Sequence, residues 1–126
     1  MDVPAELRYT EEHEWVDARS EAVRVGITEY AQDQLGDVVF VDLPEPGTSL
    51  TAGDVFGEVE STKSVSELFA PIDGEIIVSN AAVADAPELI NSDPYGEGWL
   101  VEIMPAEPAD VGALLDADAY QKLIEG

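Results

Sequence analysis

A chain of 126 residues with 45% apolar residues has room for one domain with a modest core and too little for two. It carries 28 Asp and Glu against 5 Lys and Arg, a net charge of -23, and the acids are spread along the sequence, which argues against nucleic acid or an anionic membrane surface as a partner. With no cysteine it has no disulfide, no thiolate nucleophile and no Cys-ligated metal site.

The opening "MDVPAELRYTEEHEW" has no basic start and no apolar stretch, so it does not read as a signal peptide. No window approaches the length of a membrane span. The expectation is a soluble, cytoplasmic protein. Charge of one sign at this density pushes a compact state apart, and at about 1 M salt, where the Debye length is roughly 3 Å, most of that push is screened. The composition therefore points to a salt-rich cytoplasm, as in a halophile.

"HEWVDARSEAVRVGIT" predicts a hairpin, with Trp15 and Val16 before a polar turn at 19–21 and Val23, Val25 and Ile27 alternating after it. Thr28 is placed to cap a short helix over 29–35, with Glu29 at its positive end and Gly36 as its stop. "DVVFVDL" predicts a strand ending at Pro44, and "PEPGTSLTAGD" a turn region. Val55, Gly57 and Val59 alternate with Phe56, Glu58 and Glu60, which predicts a half-buried strand to Ser61. After Lys63 the alternation is less clean, and either a bulge or a fully buried stretch would account for it. Further strands are expected over 75–79 and in "GWLVEIMP", with one helical turn over 87–91. Apolar residues at 111, 114, 115, 120, 123 and 124 have helical spacing, with Asp110 and Asp116 as caps and Gly126 closing the chain. The pattern is that of a small β-rich barrel or sandwich with helices added at the end.

Catalytic constellations are scarce. The single histidine, His13, has no nucleophile-elbow motif to serve, and a lone histidine is more often a hydrogen-bonded structural residue. Carboxylate pairs abound in so acidic a chain and carry little information, and none has EF-hand spacing. "YGEGW" lacks the spacing and the preceding strand of a phosphate loop. Lys63 is the informative residue. Lysine occurs only there and at 122, so general solvation does not explain it. Its place between two strands puts a primary amine at a hairpin tip, where a modifying enzyme can reach it without disturbing the core. Acylation of such an amine removes its charge and lengthens a flexible stem, which suits a covalent cofactor.

"VESTKSVSELFAPIDGEI" resembles the lipoyl-lysine segment of the glycine cleavage system H proteins. "YTEEHEWV", "VGITEYAQDQLGDVVFVDLPEPG" and "PELINSDPYGEGWLVEI" resemble further stretches of that family in the same order. The resemblance implies a mainly β, lipoyl-domain-like barrel-sandwich hybrid with short helices and a C-terminal helical tail. It implies a single carrier domain over 1–126, with a β core over about 14–104 and C-terminal helices over about 110–125. It also implies lipoate in amide linkage to Lys63 and no enzymatic activity of the chain itself. The carrier would take an aminomethyl group from glycine decarboxylase (P protein) to the tetrahydrofolate-dependent aminomethyltransferase (T protein). It would pass electrons to dihydrolipoamide dehydrogenase (L protein). A lipoylating enzyme is the fourth partner, and a monomer is the expected form. By the same resemblance, Glu14 and Glu67 are candidates to face the amine of the loaded arm.

Three other readings stay open on sequence. One is an H-like donor in lipoate relay. Another is a biotinyl or lipoyl domain of a different complex, although Thr62 and Ser64 flank the lysine where a biotin site has methionines. The third is an unmodified acidic interaction module.

Overall fold

Short runs of β-branched and aromatic residues, broken by Gly, Pro and Asp turns, build two antiparallel sheets. The computed structural model describes residues 2–125. In chain order the elements are β1 (Arg8–Tyr9), β2 (Glu14–Asp17), β3 (Val23–Ile27), α1 (Glu29–Leu35), β4 (Val38–Asp42), β5 (Ser49–Leu50), β6 (Val55–Ser61), β7 (Val65–Phe69), β8 (Gly74–Ser79), α2 (Ala81–Asp85), α3 (Leu89–Ser92), β9 (Val101–Pro105), a 3-10 helix (Pro108–Ala113) and α4 (Ala117–Glu125). The larger sheet has the order β1-β2-β3-β9-β8-β5, and the smaller one β4-β6-β7. This is the lipoyl-domain-like barrel-sandwich architecture expected from the sequence. Among the described residues no helix is long and apolar enough to cross a membrane.

The expected hairpin forms, and its register sets Val16 opposite Val25 and Glu14 opposite Ile27. Helix α1 begins where Thr28 accepts the Ala31 N–H at 3.2 Å. It ends at Gly36, whose φ of 81° suits glycine. Val25, Val59, Ile76, Val101 and Ile103 are fully buried in one core cluster built from both sheets. A second cluster, Leu7, Tyr9, Trp15 and Tyr120, ties the C-terminal helix to the start of the chain. Tyr9 and Tyr120 stack with ring centres 4.7 Å apart.

The structure departs from the sequence reading at several points. The irregularity near Lys63 lies in β6 instead of after the lysine. The β6–β7 register slips between Val55 and Gly57, so Phe56 is the extra residue. A one-residue slip moves every side chain before it to the other face. Phe56 is therefore buried and Val55 is 49% exposed, the reverse of the expected alternation. Within the stretch read as turn, Ser49–Leu50 pairs with β8. The sheet begins at Arg8 and not near 14. Helix α2 was unforeseen, although Asn80 caps it by accepting the Ala82 N–H. Asp110 sits inside the first turn of the 3-10 helix and does not cap it. Asp116 does cap α4, accepting the Ala119 N–H at 2.9 Å. The role expected of Gly126 lies outside the described residues.

Candidate functional site

Lys63 lies in the turn joining β6 and β7, and it is exposed. The turn is pinned, not loose. Ser61 N–H donates to the Ser64 carbonyl at 2.8 Å, and the Ser61 hydroxyl accepts the N–H groups of Lys63 at 3.2 Å and Ser64 at 3.0 Å. Thr62 N–H donates to the Asp37 carbonyl at 3.1 Å, which joins the tip to the loop after α1. The Lys63 stem lies over Gly36, where a Cβ would stand 3.4 Å from Lys63 Cε. Backbone order and side-chain freedom are thus separated: the base of the lysine is held while its amine is left in solvent.

The residues just after Lys63 border a cleft of about 380 Å³. Ser64, Val65, Ser66 and Leu68 form one side, Tyr30, Ala31, Gln34 and Leu35 of the α1 face another, and Ile27, Val59, Glu12, His13 and Glu14 complete it. Its walls mix apolar side chains with the polar ones of Glu12, His13, Gln34, Ser64 and Ser66, and it contains one buried carboxyl group. Glu14 is 1% exposed. Its Oε2 accepts the Phe69 N–H at 2.8 Å and its Oε1 accepts the Thr10 hydroxyl at 2.9 Å. Burial raises the Glu14 pKa from 4.5 to about 7, against the two hydrogen bonds, which pull it down, and Glu12 nearby adds to the rise.

The local chain is bent to deliver that carboxyl. Thr10 to His13 form a tight turn closed by the His13 N–H on the Thr10 carbonyl at 3.1 Å. His13 adopts φ 69°, a left-handed conformation uncommon outside glycine. Its Nδ1 lies 2.9 Å from the Tyr120 hydroxyl, which also meets Thr28 Oγ1 at 2.7 Å. His13 is thus hydrogen-bonded, as a lone histidine usually is, and it also forms part of the cleft wall. Burial lowers its pKa.

The structure brings Glu14 to the cleft beside the Lys63 turn but leaves Glu67 outside it. Glu67 is exposed on β7 between Ser66 and Leu68, and strand alternation sends it to the other face. Lys122 is on the exposed side of α4. The sequence reading missed Thr10, Ser61 and the cleft walls. The apolar part of the walls has ordinary core spacing, so nothing in its pattern separates it from core. Thr10 stands before a short acidic run, the signature of a hydroxyl-closed turn.

A raised carboxyl pKa has a consequence for stability. The native state holds a proton that the unfolded chain loses, so ionising Glu14 weighs against the fold as pH climbs from about 4.5 to 7. Glu14→Gln turns an NH2 toward one of the two donors, a loss of the same size at every pH, so the mutant should lie below wild type in melting temperature at pH 4 and gain on it as pH rises to 8. The shift sets a ceiling of about 3 kcal/mol on the gain. Thermal melts of both proteins across that pH range check it.

The family model for glycine cleavage H-protein matches residues 7–126. This chain belongs to that family. Curated relatives agree along nearly the whole length. The glycine cleavage system H protein of Mycobacteroides abscessus is 60% identical over 124 residues, covering 94% of this chain and 95% of the relative. That of Anaeromyxobacter sp. (strain K) is 55% identical over 125 residues, covering 99% and 98%. The crystal structure of a glycine cleavage system H protein from Mycobacterium marinum superposes with a TM-score of 0.90 at 45% identity, covering 98% of this chain and 100% of that one. Glycine cleavage H proteins carry covalent lipoate on a lysine. They are carriers and not catalysts, and they serve the P, T and L proteins of the glycine cleavage system.

Proposed function

We propose that Lys63 is the lipoyl lysine and that the cleft beside its turn shelters the loaded arm, with Glu14 as counter-charge to the arm's protonated amine. The observation that carries this reading is positional. An exposed amine on a pinned turn is followed at once by residues that border a cleft containing a buried carboxyl. The site suits the group: the amine is free, one side of the cleft is apolar, and Glu14 has acceptor positions left after its two hydrogen bonds. Bound in amide linkage, lipoate supplies the sulfur chemistry that accepts the aminomethyl group and the electrons.

The chain's residues do the rest. Amide formation removes the Lys63 charge, so nothing binds the stem to the acidic surface. Ser61 and Asp37 fix its base. Ile27, Leu35, Val59 and Leu68 give the cleft an apolar side, and the buried Glu14 carboxylate attracts a cation more strongly than it would in bulk solvent. Glu67 would meet the amine only from outside the cleft, so the reading rests on Glu14.

Glu14→Gln should still be lipoylated and still accept reducing equivalents, but its loaded form should lose the aminomethyl group to water faster. A hydrogen bond to a charged group contributes roughly 1.5–3 kcal/mol, on the order of ten- to a hundredfold in rate. Equal decay of the loaded mutant and wild type would overturn the assignment.

We also read residues 1–126 as one carrier domain working in a salt-rich cytoplasm. The support is the balance of 28 acids against 5 bases. Among the described residues the ion pairs are Arg19–Asp17 and Arg24–Glu102, which leaves most carboxylates without a cation.

A further inference from the structure

Glu14 separates two hollows. One is the cleft beside Lys63. The other, of about 510 Å³, is bordered by Thr10, Glu11, Glu12, Phe69, Ala70 and Leu114 among others. Thr10 and Phe69 border the second hollow and not the cleft, so both donors to Glu14 stand behind it as seen from the cleft.

The Thr10 hydroxyl is not free to turn. It has one proton and two lone pairs. The N–H groups of Glu12 and Glu14 reach its oxygen at 3.2 Å each. With both lone pairs engaged, its proton is directed to Glu14 Oε1, 2.9 Å away. The Phe69 N–H can likewise only donate. Glu14 therefore has a fixed donor on each oxygen, both on the side away from the cleft.

We propose that Thr10 is the positioning residue for Glu14: its oriented hydroxyl fixes the carboxylate from behind, so that the free acceptor positions face the cleft. This rests on the reading of Glu14 given above. An oriented donor also favours the charged carboxylate over the neutral acid, opposing the burial that raises its pKa to about 7. The other titratable groups around it are few. Glu11, Glu12 and His13 lie on its own segment, Tyr9 borders the second hollow from β1, and Tyr30 borders the cleft from α1. Among the described residues, no charged side chain borders either hollow from β6, β7 or the 3-10 helix.

Thr10→Val keeps the side-chain outline but removes both the donor to Glu14 and the acceptor of the Glu12 and Glu14 N–H groups, while Thr10→Ser restores both. Carbon NMR titration of the Glu14 carboxyl in the full-length lipoylated protein reads the effect without any loaded arm. The midpoint should rise by about one pH unit in Thr10→Val, a tenfold change in the ionised-to-neutral ratio, and return in Thr10→Ser. The pH profile for decay of the loaded form should move with it. If Thr10→Val fails to fold, Thr10→Ala against Thr10→Ser makes the same comparison. An unmoved midpoint, or one that serine does not restore, overturns the proposal. A midpoint that moves while loaded-arm decay stays constant upholds Thr10 and sinks instead the contact between Glu14 and the amine.

Discussion

Lys63→Arg is expected to give a folded protein with no lipoate at all. Arginine keeps the charge and much of the stem but has no amine that an acylating enzyme can use. The fold should not notice. The contacts that pin the turn are made by the Lys63 backbone N–H, by Ser61 and by the Asp37 carbonyl, and none uses the lysine side chain. An exposed substitution of this kind changes stability by about 0.5 kcal/mol at most. The second lysine should not substitute. Lys122 stands in the last turn of the helix α4, and no hairpin turn projects it. An enzyme that grips a hairpin tip would find nothing of that shape there. Intact mass and peptide mapping of both proteins, made in a host that lipoylates, decide the matter. Lipoate on Lys122, or on Lys63→Arg protein, would refute the assignment.

The contrast between what the sequence disclosed and what it concealed follows a physical line. Local signals were read well. Thr28 and Gly36 bracket α1 because capping is decided within one turn of the chain, and the Glu14–Ile27 hairpin declared itself by alternation. The position of Lys63 was legible for the same reason: two strands and a short turn are neighbours in sequence. What needed the partner strand was not legible. The bulge at Phe56 exists only relative to β7, and β5 is a strand only because β8 lies beside it. The cleft draws on β2, β3, α1, β6 and β7 together. Glu14 could be named as a carboxylate, but its burial comes from that assembly and could not be read from "EEHE". Glu67 looked equivalent in sequence and is not, since one step along a strand changes its face.

The same assembly explains why Glu14 is kept where it weakens the fold. Ionising the buried acid costs the native state stability as pH rises toward neutral, a cost that a neutral residue does not carry. Retaining an acid makes sense if the cleft must offer a negative charge to a cationic cargo. That charge is strong because Glu14 is itself buried, and costly to the fold for the same reason.

Salt should have a large effect on stability, and the smaller sheet shows where it acts. Register places Asp42 opposite Glu58, and Glu58 opposite Glu67, so three exposed acids form one row across β4, β6 and β7. Residues directly opposed on neighbouring strands lie about 4.5–5.5 Å apart, and like charges there are destabilising. In dilute buffer, about 0.01 M, the Debye length is near 30 Å, so each member of the row also feels the rest of the acidic surface. At molar salt the range shrinks to about 3 Å and even the row is largely screened, while burial of the apolar core is unchanged or strengthened. The melting temperature should therefore climb steeply in KCl from about 0.01 to 3 M, and lowering pH toward the ordinary carboxylate range near 4 should recover much of the gain at low salt. Glu58→Gln removes the middle charge of the row. It should stabilise the protein in dilute buffer and lose that advantage at molar salt. Partner docking, with long-range steering screened, should vary little with salt in the upper half of the range. A melting temperature that stays flat from dilute to molar KCl, with Glu58→Gln indistinguishable from wild type at both ends, would show that the acidic surface is not an adaptation to salt.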